Sequence, residues 1–240
     1  MMFSSFRRAA FVVPGAVALA AAACDTRADA GRVDTAHGDV VPAAEGPAAP
    51  SEAARQAAAQ GAALHLAVAP EGNTVRYRVR EQLVGFDLPN DAVGETAAVT
   101  GGIAFDAKGQ VVPAASQFTV DAATLKSDRD RRDNFIRSRT LVTAENPSIV
   151  LKPTALKGLT MPLPSSGERQ LELVGDLTVK GVTRPTTWKV NARFADGRVT
   201  GTAATAFAFT DFQLEQPKVR SVLSVADTIR LEYDFALVKK

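Results

Sequence analysis

The sequence has few of the side chains that most often carry chemistry, since its 240 residues include one cysteine and two histidines. A single cysteine cannot form a disulfide within the chain, so the folded part depends on its core for stability. A catalytic triad or a metal site of histidine and cysteine would have to use His65, because His37 lies in low-complexity sequence and Cys24 ends an apolar leader. We therefore predict no catalytic residue, no metal site and no cofactor.

An excess of charge of one sign is also lacking. The chain has 28 lysines and arginines against 26 aspartates and glutamates, which gives a formal net charge of +2. It contains no glycine-rich phosphate loop, no dinucleotide fingerprint and no basic run with interleaved aromatics. These absences exclude nucleic acid as the main partner. The longest apolar stretch, near the N-terminus, has about fifteen residues and is shorter than the ~20 of a transmembrane helix.

That apolar stretch has the features of an export signal. Arg7 and Arg8 precede it, and a run of small residues and Cys24 follow it. A cysteine directly after small residues resembles the bacterial lipobox, in which the thiol is alkylated with diacylglycerol. We predict that residues 1–23 are a lipoprotein signal peptide and that Cys24 is lipidated, which would anchor the exported protein at the periplasmic face of the cell envelope. An ordinary cleaved signal without lipidation is the open alternative.

Two regions follow the signal. Residues 24–61 consist largely of Ala, Pro, Gly and Asp, with no aromatic residue. Such a composition cannot bury enough apolar surface to offset the entropy of ordering the chain. We predict a disordered spacer there, and one folded domain over residues 62–240.

The folded region alternates apolar and polar residues. In residues 74–80, 186–194 and 229–237 every second side chain is apolar, which is the pattern of β-strands with one buried face. Asp196 and Gly197, between two such runs, form a favoured two-residue hairpin turn. Only residues 121–139, which are polar and rich in charge, break the rhythm and suggest a short helix or loop. The pattern predicts an all-β antiparallel sandwich or barrel.

One predicted strand is built mostly from small residues. Residues 199–209 are small on both faces until Phe207 and Phe209. Small residues in a barrel wall leave room inside it, either for a ligand or for large side chains from other strands. The pattern leaves both interpretations open.

The most specific motif is Gly-Asp-Leu-Thr-Val-Lys-Gly-Val-Thr-Arg-Pro-Thr-Thr-Trp at residues 175–188. It resembles the Gly-x-Leu-Thr-x-x-Gly-x-Thr-x-Pro signature of the bacterial YceI family. Residues 124–138, 146–151 and 225–235 resemble further segments of that family in the same order, so the resemblance spans about residues 64–240. Phe135 departs from it, because many members have histidine there.

The resemblance implies both a fold and a class of ligand. Members of the family form an extended, eight-stranded, antiparallel, lipocalin-like barrel whose apolar channel holds the isoprenoid tail of a quinone or a similar polyisoprenoid. The candidate channel residues occupy the apolar faces of the predicted strands: Leu173, Leu177, Trp188, Phe194, Phe207, Phe209, Ile229, Tyr233 and Phe235.

The charged segment within residues 121–139 has two interpretations. Its acidic and basic residues interleave, as in a solvated and self-paired surface. Alternatively Arg129, Arg131 and Arg132 lie at the channel mouth and meet an anionic head group or an anionic lipid surface.

Taken together, these patterns predict a non-catalytic protein of the cell envelope. It would bind a polyisoprenoid lipid or an isoprenoid quinone as its ligand, near a membrane surface. One alternative is an envelope stress or interaction protein with a filled barrel and no bound ligand. Another is an enzyme that acts on a lipid through carboxylates. Whether the protein forms a homodimer is left open by the sequence.

Overall fold

The computed structural model of the chain describes residues 61–240 together with Ala58. The predicted signal peptide (1–23), Cys24 and nearly all of the predicted spacer (24–61) lie outside the described residues. The strands β1 to β11 are Leu64–Val68, Thr74–Leu83, Asn90–Thr96, Val99–Phe105, Gln117–Asp121, Lys126–Ser127, Ser148–Lys157, Ser166–Val179, Val182–Ala195, Arg198–Ala208 and Val222–Lys239. Helix α1 (Asp130–Phe135) continues as a π-helical turn (Ile136–Thr140), and short 3₁₀ turns span Pro113–Ala115, Ala122–Thr124 and Phe209–Phe212.

Eight strands close into a barrel. Their order is β1-β4-β5-β7-β8-β9-β10-β11, and β11 returns to pair with β1, where Leu66 lies opposite Lys239. Each neighbouring pair is antiparallel. The predicted all-β, eight-stranded, lipocalin-like barrel is therefore confirmed.

Three strands of the barrel are each divided into two pieces. β2 pairs with β11 next to β1, β3 pairs with β2, and β6 pairs with β3. β1 and β2 thus form two successive pieces of one barrel strand beside β11. In the same way β4 and β3 form the next strand, and β5 and β6 the one after it. We call the end with β1, β4 and β5 the closed end, and the end with β2, β3 and β6 the open end.

The predicted excursion at residues 121–139 lies at the open end. β6 has two residues, and within residues 61–240 no ladder joins it to β7. Instead α1 and its π-helical turn follow, with Leu141 buried in the core and Ile136 packed against it. Arg137 Nη1 donates to the Leu125 carbonyl at 3.3 Å. The helical segment therefore takes the place of a ladder between β6 and β7.

Alternation decides which side chains enter the core. Along β9 the buried residues are Trp188, Val190, Ala192 and Phe194, and each residue between them is exposed. The hairpin turn predicted at Asp196 and Gly197 joins β9 to β10, with φ angles of 50° and 72°. Both angles fit a type I′ turn, whose twist matches that of the flanking strands.

Candidate functional site

Two cavities lie inside the barrel and share part of their walls. The inner cavity, at the closed end, has a volume of about 120 Å³, and the outer cavity, at the open end, has about 630 Å³. The side chains that line both are Val75, Val120, Ile149 and Leu231. The two cavities therefore adjoin inside the barrel, and we refer to them together as the channel.

The inner cavity is lined almost entirely by carbon. Trp188 and Tyr233 are the lining residues with polar side-chain atoms. Trp188 Nε1 donates to Thr186 Oγ1 at 3.0 Å, and Tyr233 Oη donates to Asn73 Oδ1 at 2.8 Å. Burial also raises the pKa of Tyr233, so the phenol stays neutral. Because both polar atoms are satisfied by residues outside the lining, the cavity offers its occupant an apolar wall.

The outer cavity is bounded by strands on one side and by the helical segment on the other. Phe135, Ile136 and Leu141 form the helical side. Phe135, which stands where many members of the resembled family have histidine, thus adds an apolar face. Phe86 and Val219, from the β2–β3 and β10–β11 connections, are lining residues that are also exposed, so the cavity opens to solvent on their side.

A buried ion pair lies in the wall of the outer cavity. Glu81 is on the inward face of β2, and its side chain is 8% exposed. Arg132 Nη2 lies 2.5 Å from Glu81 Oε1, and Arg132 Nη1 also binds the Asp128 carboxylate. Burial lowers the pKa of Arg132, but the hydrogen bonds and charges of the two carboxylates outweigh it and keep the pKa raised. The positive charge of Arg132 is therefore balanced within the protein.

Two hydroxyl groups in the same wall are unpaired. Tyr77 Oη and Thr140 Oγ1 are buried, and neither has a hydrogen-bond partner among the described residues. The Ser127 hydroxyl near Tyr77 donates to Asp133 at 2.6 Å. Burial raises the pKa of Tyr77 to about 12, against the opposing positive charge of Arg132. Since an unpaired buried hydroxyl costs about 1–3 kcal/mol, these two groups are polar exceptions in a largely apolar wall.

The structure places all nine predicted channel residues in the lining of the two cavities. Those of the inner cavity are Leu173, Leu177, Trp188, Phe194, Tyr233 and Phe235, and those of the outer cavity are Phe207, Phe209 and Ile229. That they contact a ligand stays a prediction.

The three predicted mouth arginines all line the outer cavity but differ in their surroundings. Arg132 is held inward by its two carboxylates. The Arg129 guanidinium lies 5.8 Å from the centre of the Phe86 ring, and Arg131 is exposed. Self-pairing thus describes Arg132 and also Arg129, whose Nε lies 3.6 Å from Asp128 Oδ2. Arg131 forms no ion pair with any described residue, so it remains accessible to an external anion.

The sequence left open whether the small residues of β10 make room for a ligand or for large neighbouring groups, and the structure shows residues of both kinds. A Cβ atom on Gly201 would lie 1.9 Å from the Asn191 carbonyl oxygen and 2.9 Å from the Phe235 ring, so glycine is required there by close packing. Ala203, two residues on, lines the inner cavity. One part of the strand therefore accommodates neighbours, and another leaves space.

Several lining residues were not predicted from the sequence. Glu81 had a signal, because it continues the inward phase of Val75, Tyr77 and Val79 on β2. Leu159 and Leu163 line the inner cavity from the β7–β8 connection. Loop residues such as these carry no periodic pattern, so no sequence signal marks them.

The described residues show no arrangement typical of a metal enzyme. No group of three or more His, Cys, Asp or Glu side chains among them could hold a metal ion. Burial, followed by the positive charge of Lys240, lowers the pKa of His65 on β1.

Among the helices of residues 61–240, none is long and apolar enough to span a membrane.

Comparison with known proteins identifies similar sequences and folds. The family model described as YceI-like domain matches residues 66–237. The chain is similar to the polyisoprenoid-binding domain from Saccharophagus degradans implicated in plant cell wall breakdown, with 12% identity, a TM-score of 0.58, and coverage of 75% of this chain and 99% of that one. It is also similar to BcnA of Burkholderia cenocepacia, with 16% identity, a TM-score of 0.50, and coverage of 68% and 95%. No curated protein sequence matches it.

Proposed function

The chain belongs to the YceI-like family, and we propose that it binds a polyisoprenoid lipid inside the barrel without chemical change to the lipid. The observation that carries this proposal is the pair of adjoining cavities inside the barrel, of which the inner one is lined almost entirely by carbon. The similar domain from Saccharophagus degradans is described as polyisoprenoid-binding, which agrees with the proposal.

The channel suits an isoprenoid tail for a simple reason. Such a tail has no hydrogen-bonding groups, so its binding rests on buried apolar area at ~25 cal/mol per Å², less the cost of ordering a flexible chain. The outer cavity alone, at about 630 Å³, lies within the ~300–1,000 Å³ range of ligand sites. A cavity of this size favours ligand binding over the alternative of a filled barrel.

The polar groups of the outer cavity favour a neutral head group with carbonyl oxygens, as in an isoprenoid quinone. Tyr77 and Thr140 line this cavity and carry buried hydroxyls, and a head-group carbonyl oxygen that reached either hydroxyl would accept a hydrogen bond from it. A phosphate would need an uncompensated positive charge inside the cavity, but the buried Arg132 is already paired with Glu81 and Asp128, and the unpaired Arg131 is exposed. We therefore place the head group in the outer cavity and the tail towards the inner cavity.

We also propose that the protein acts at the periplasmic face of the cell envelope as a lipoprotein. This part of the proposal is supported by the sequence of residues 1–24, in which a basic start, an apolar stretch and small residues precede Cys24. A tether near a bilayer would keep the barrel at a high effective concentration close to a membrane-dissolved ligand.

The test is organic extraction of the natively purified full chain, followed by mass spectrometry of the extract. We expect an isoprenoid quinone in roughly equal molar amount to the protein. Recovery of a polyprenyl phosphate would contradict the head-group assignment, and recovery of no isoprenoid would contradict the proposed function. Mass analysis of the mature N-terminus shows separately whether Cys24 is lipidated.

A further inference from the structure

Exposed apolar side chains are concentrated at one place on the described surface. The large apolar residues that are more than a third exposed are Val84, Phe86, Leu88, Val219 and Leu223. All lie in the β2–β3 connection or at the start of β11 and the segment before it. Leu88 and Leu223 are the most exposed, at 77% and 66%. We call these five side chains the apolar rim.

The two segments of the apolar rim are neighbours at the open end of the barrel. The Val84 amide donates to the Ser221 carbonyl at 3.1 Å, and Leu83 pairs with Val222. Val84, Phe86 and Val219 also line the outer cavity. The exposed apolar surface is therefore continuous with the apolar wall of the channel.

Basic side chains surround the apolar rim. Lys218 and Arg220 flank Val219, and both are exposed. Together with Arg131 they form no ion pair with any residue in the described part of the chain. The Arg129 guanidinium lies over Phe86 at 5.8 Å. Asp128, which pairs with Arg129 at 3.6 Å, and the exposed acids Asp87 and Asp130 offset part of this positive charge.

From this arrangement we propose that the apolar rim inserts into the surface of a lipid bilayer. The opening of the outer cavity then faces the acyl chains, so an isoprenoid passes between bilayer and channel without crossing water. Long basic side chains suit this position, because their stems lie along apolar surface while their charges reach the lipid head groups. The proposal rests on the proposed function for the identity of the ligand, but not for the docking itself.

A bilayer fits the apolar rim better than a protein partner does. A stable protein interface buries ~800 Å² on each partner, and five partly exposed side chains on two neighbouring segments supply less apolar area than that. Interfacial insertion requires only a few apolar side chains with basic neighbours, since it needs no shape complementarity. A second copy of the chain is therefore the less favoured occupant, and the test below detects it.

The first experiment separates docking from binding by means of Trp188, the one tryptophan of the chain. Quinone loading is followed by quenching of its fluorescence, with a long-tailed isoprenoid quinone supplied either in detergent or in vesicles of equal parts phosphatidylcholine and phosphatidylglycerol. Leu88 and Leu223 lie outside the cavity lining, so the L88N/L223N chain should load from detergent as the parent does. From vesicles we expect it to load about tenfold more slowly, since two partly inserted leucines are lost. The matched L88M/L223M chain, which keeps the apolar area, should load at the parent rate.

Equal vesicle loading by the L88N/L223N and parent chains would overturn the docking proposal. Failure of the parent to load from either source would instead contradict the proposed function. Docking would then be decided by the second experiment, which needs no ligand.

The second experiment measures depth in the bilayer directly. Full chains carrying Cys24→Ser are labelled with a nitroxide at L88C or at E71C. Glu71 precedes β2 and Val84 follows it, so the ten residues of this strand separate the two ends by about 30 Å. We expect the label at position 88 to lie among acyl chains and the label at position 71 to remain in water. Equal exposure of both labels to water would overturn the proposal, as would a vesicle-free dimer that L88N/L223N abolishes.

Discussion

A bulky side chain at the junction of the two cavities should shorten the channel. Val120 on β5 lines both cavities and is 8% exposed, so V120F would place an aromatic ring between them. The tail of a bound isoprenoid would then be confined to the outer cavity. The inner cavity of about 120 Å³ would stay empty of ligand.

The loss in affinity follows from that volume. Empty apolar cavities cost ~24 cal/mol per Å³, which for the inner cavity gives about 3 kcal/mol. This corresponds to roughly a 100-fold rise in the Kd of a long-tailed quinone. A short-tailed analogue that fills only the outer cavity should bind V120F and the parent alike.

The assay is equilibrium titration with both quinones, followed by quenching of Trp188, which lines the inner cavity. V150F is the matched control, because Val150 follows Ile149 on β7 and lines neither cavity. Overpacking at position 120 costs about 1–3 kcal/mol of stability, and retained binding of the short analogue shows that the variant is folded. If V120F binds the long-tailed quinone with parent affinity and parent quenching, the tail does not occupy the inner cavity.

Three further predictions concern the walls of the channel. L177A removes a 1%-exposed side chain and should lower the free energy of unfolding by about 2–5 kcal/mol in denaturant titrations without ligand. A saturating long-tailed quinone should restore part of this free energy, and an equal loss with and without quinone would argue against a tail at that position. T140V replaces an unpaired buried hydroxyl, so the denaturant concentration at the midpoint of unfolding should be equal to or higher than that of the parent. The Kd for the quinone should rise about tenfold, and an unchanged Kd would show that Thr140 does not belong to the head-group site. Stability should also fall in strong alkali, because the pKa of Tyr77 is raised from 10.0 to about 12 in the folded protein: its contribution is complete below about pH 10 and is lost as the pH rises to about 12. Y77F should flatten this decline, and an unaltered profile would show that Tyr77 ionises equally in the folded and unfolded chain.

Much of the barrel could be predicted because its determinants are local. The alternation around Trp188 and Phe194 fixes which side chains face inward, since a strand has a period of two. The same rule placed residues from four strands in the linings of the two cavities without any knowledge of their pairing. The resemblance carried by residues 175–188 is confirmed by the family match over residues 66–237.

The unpredicted parts depend on contacts between distant residues. Glu81 is an acidic residue at a position where the alternation predicts an inward-facing apolar side chain. The reason is its ion pair with Arg132, which is 51 residues away in the sequence. The division of three barrel strands into two pieces each could not be predicted from the sequence either. Interruptions such as residues 69–73 resemble ordinary turns between separate strands. Phe86 and Leu88 lie in a connection, where no period indicates whether an apolar side chain is buried.

The divided strands give the two ends of the barrel different ways to open. At the closed end every strand has hydrogen-bonded neighbours on both sides, so no strand can separate there without breaking two ladders. At the open end β6 and β7 share no ladder in the described residues, and side-chain packing of the helical segment holds that flank. Amide hydrogens of β3, β6 and α1 should therefore exchange through local opening, and those of β8 and β9 only with global unfolding. For the proposed isoprenoid ligand we therefore expect the closed end to set how long the tail is retained, and opening of the flank beside α1 to set how fast a bulky head group passes.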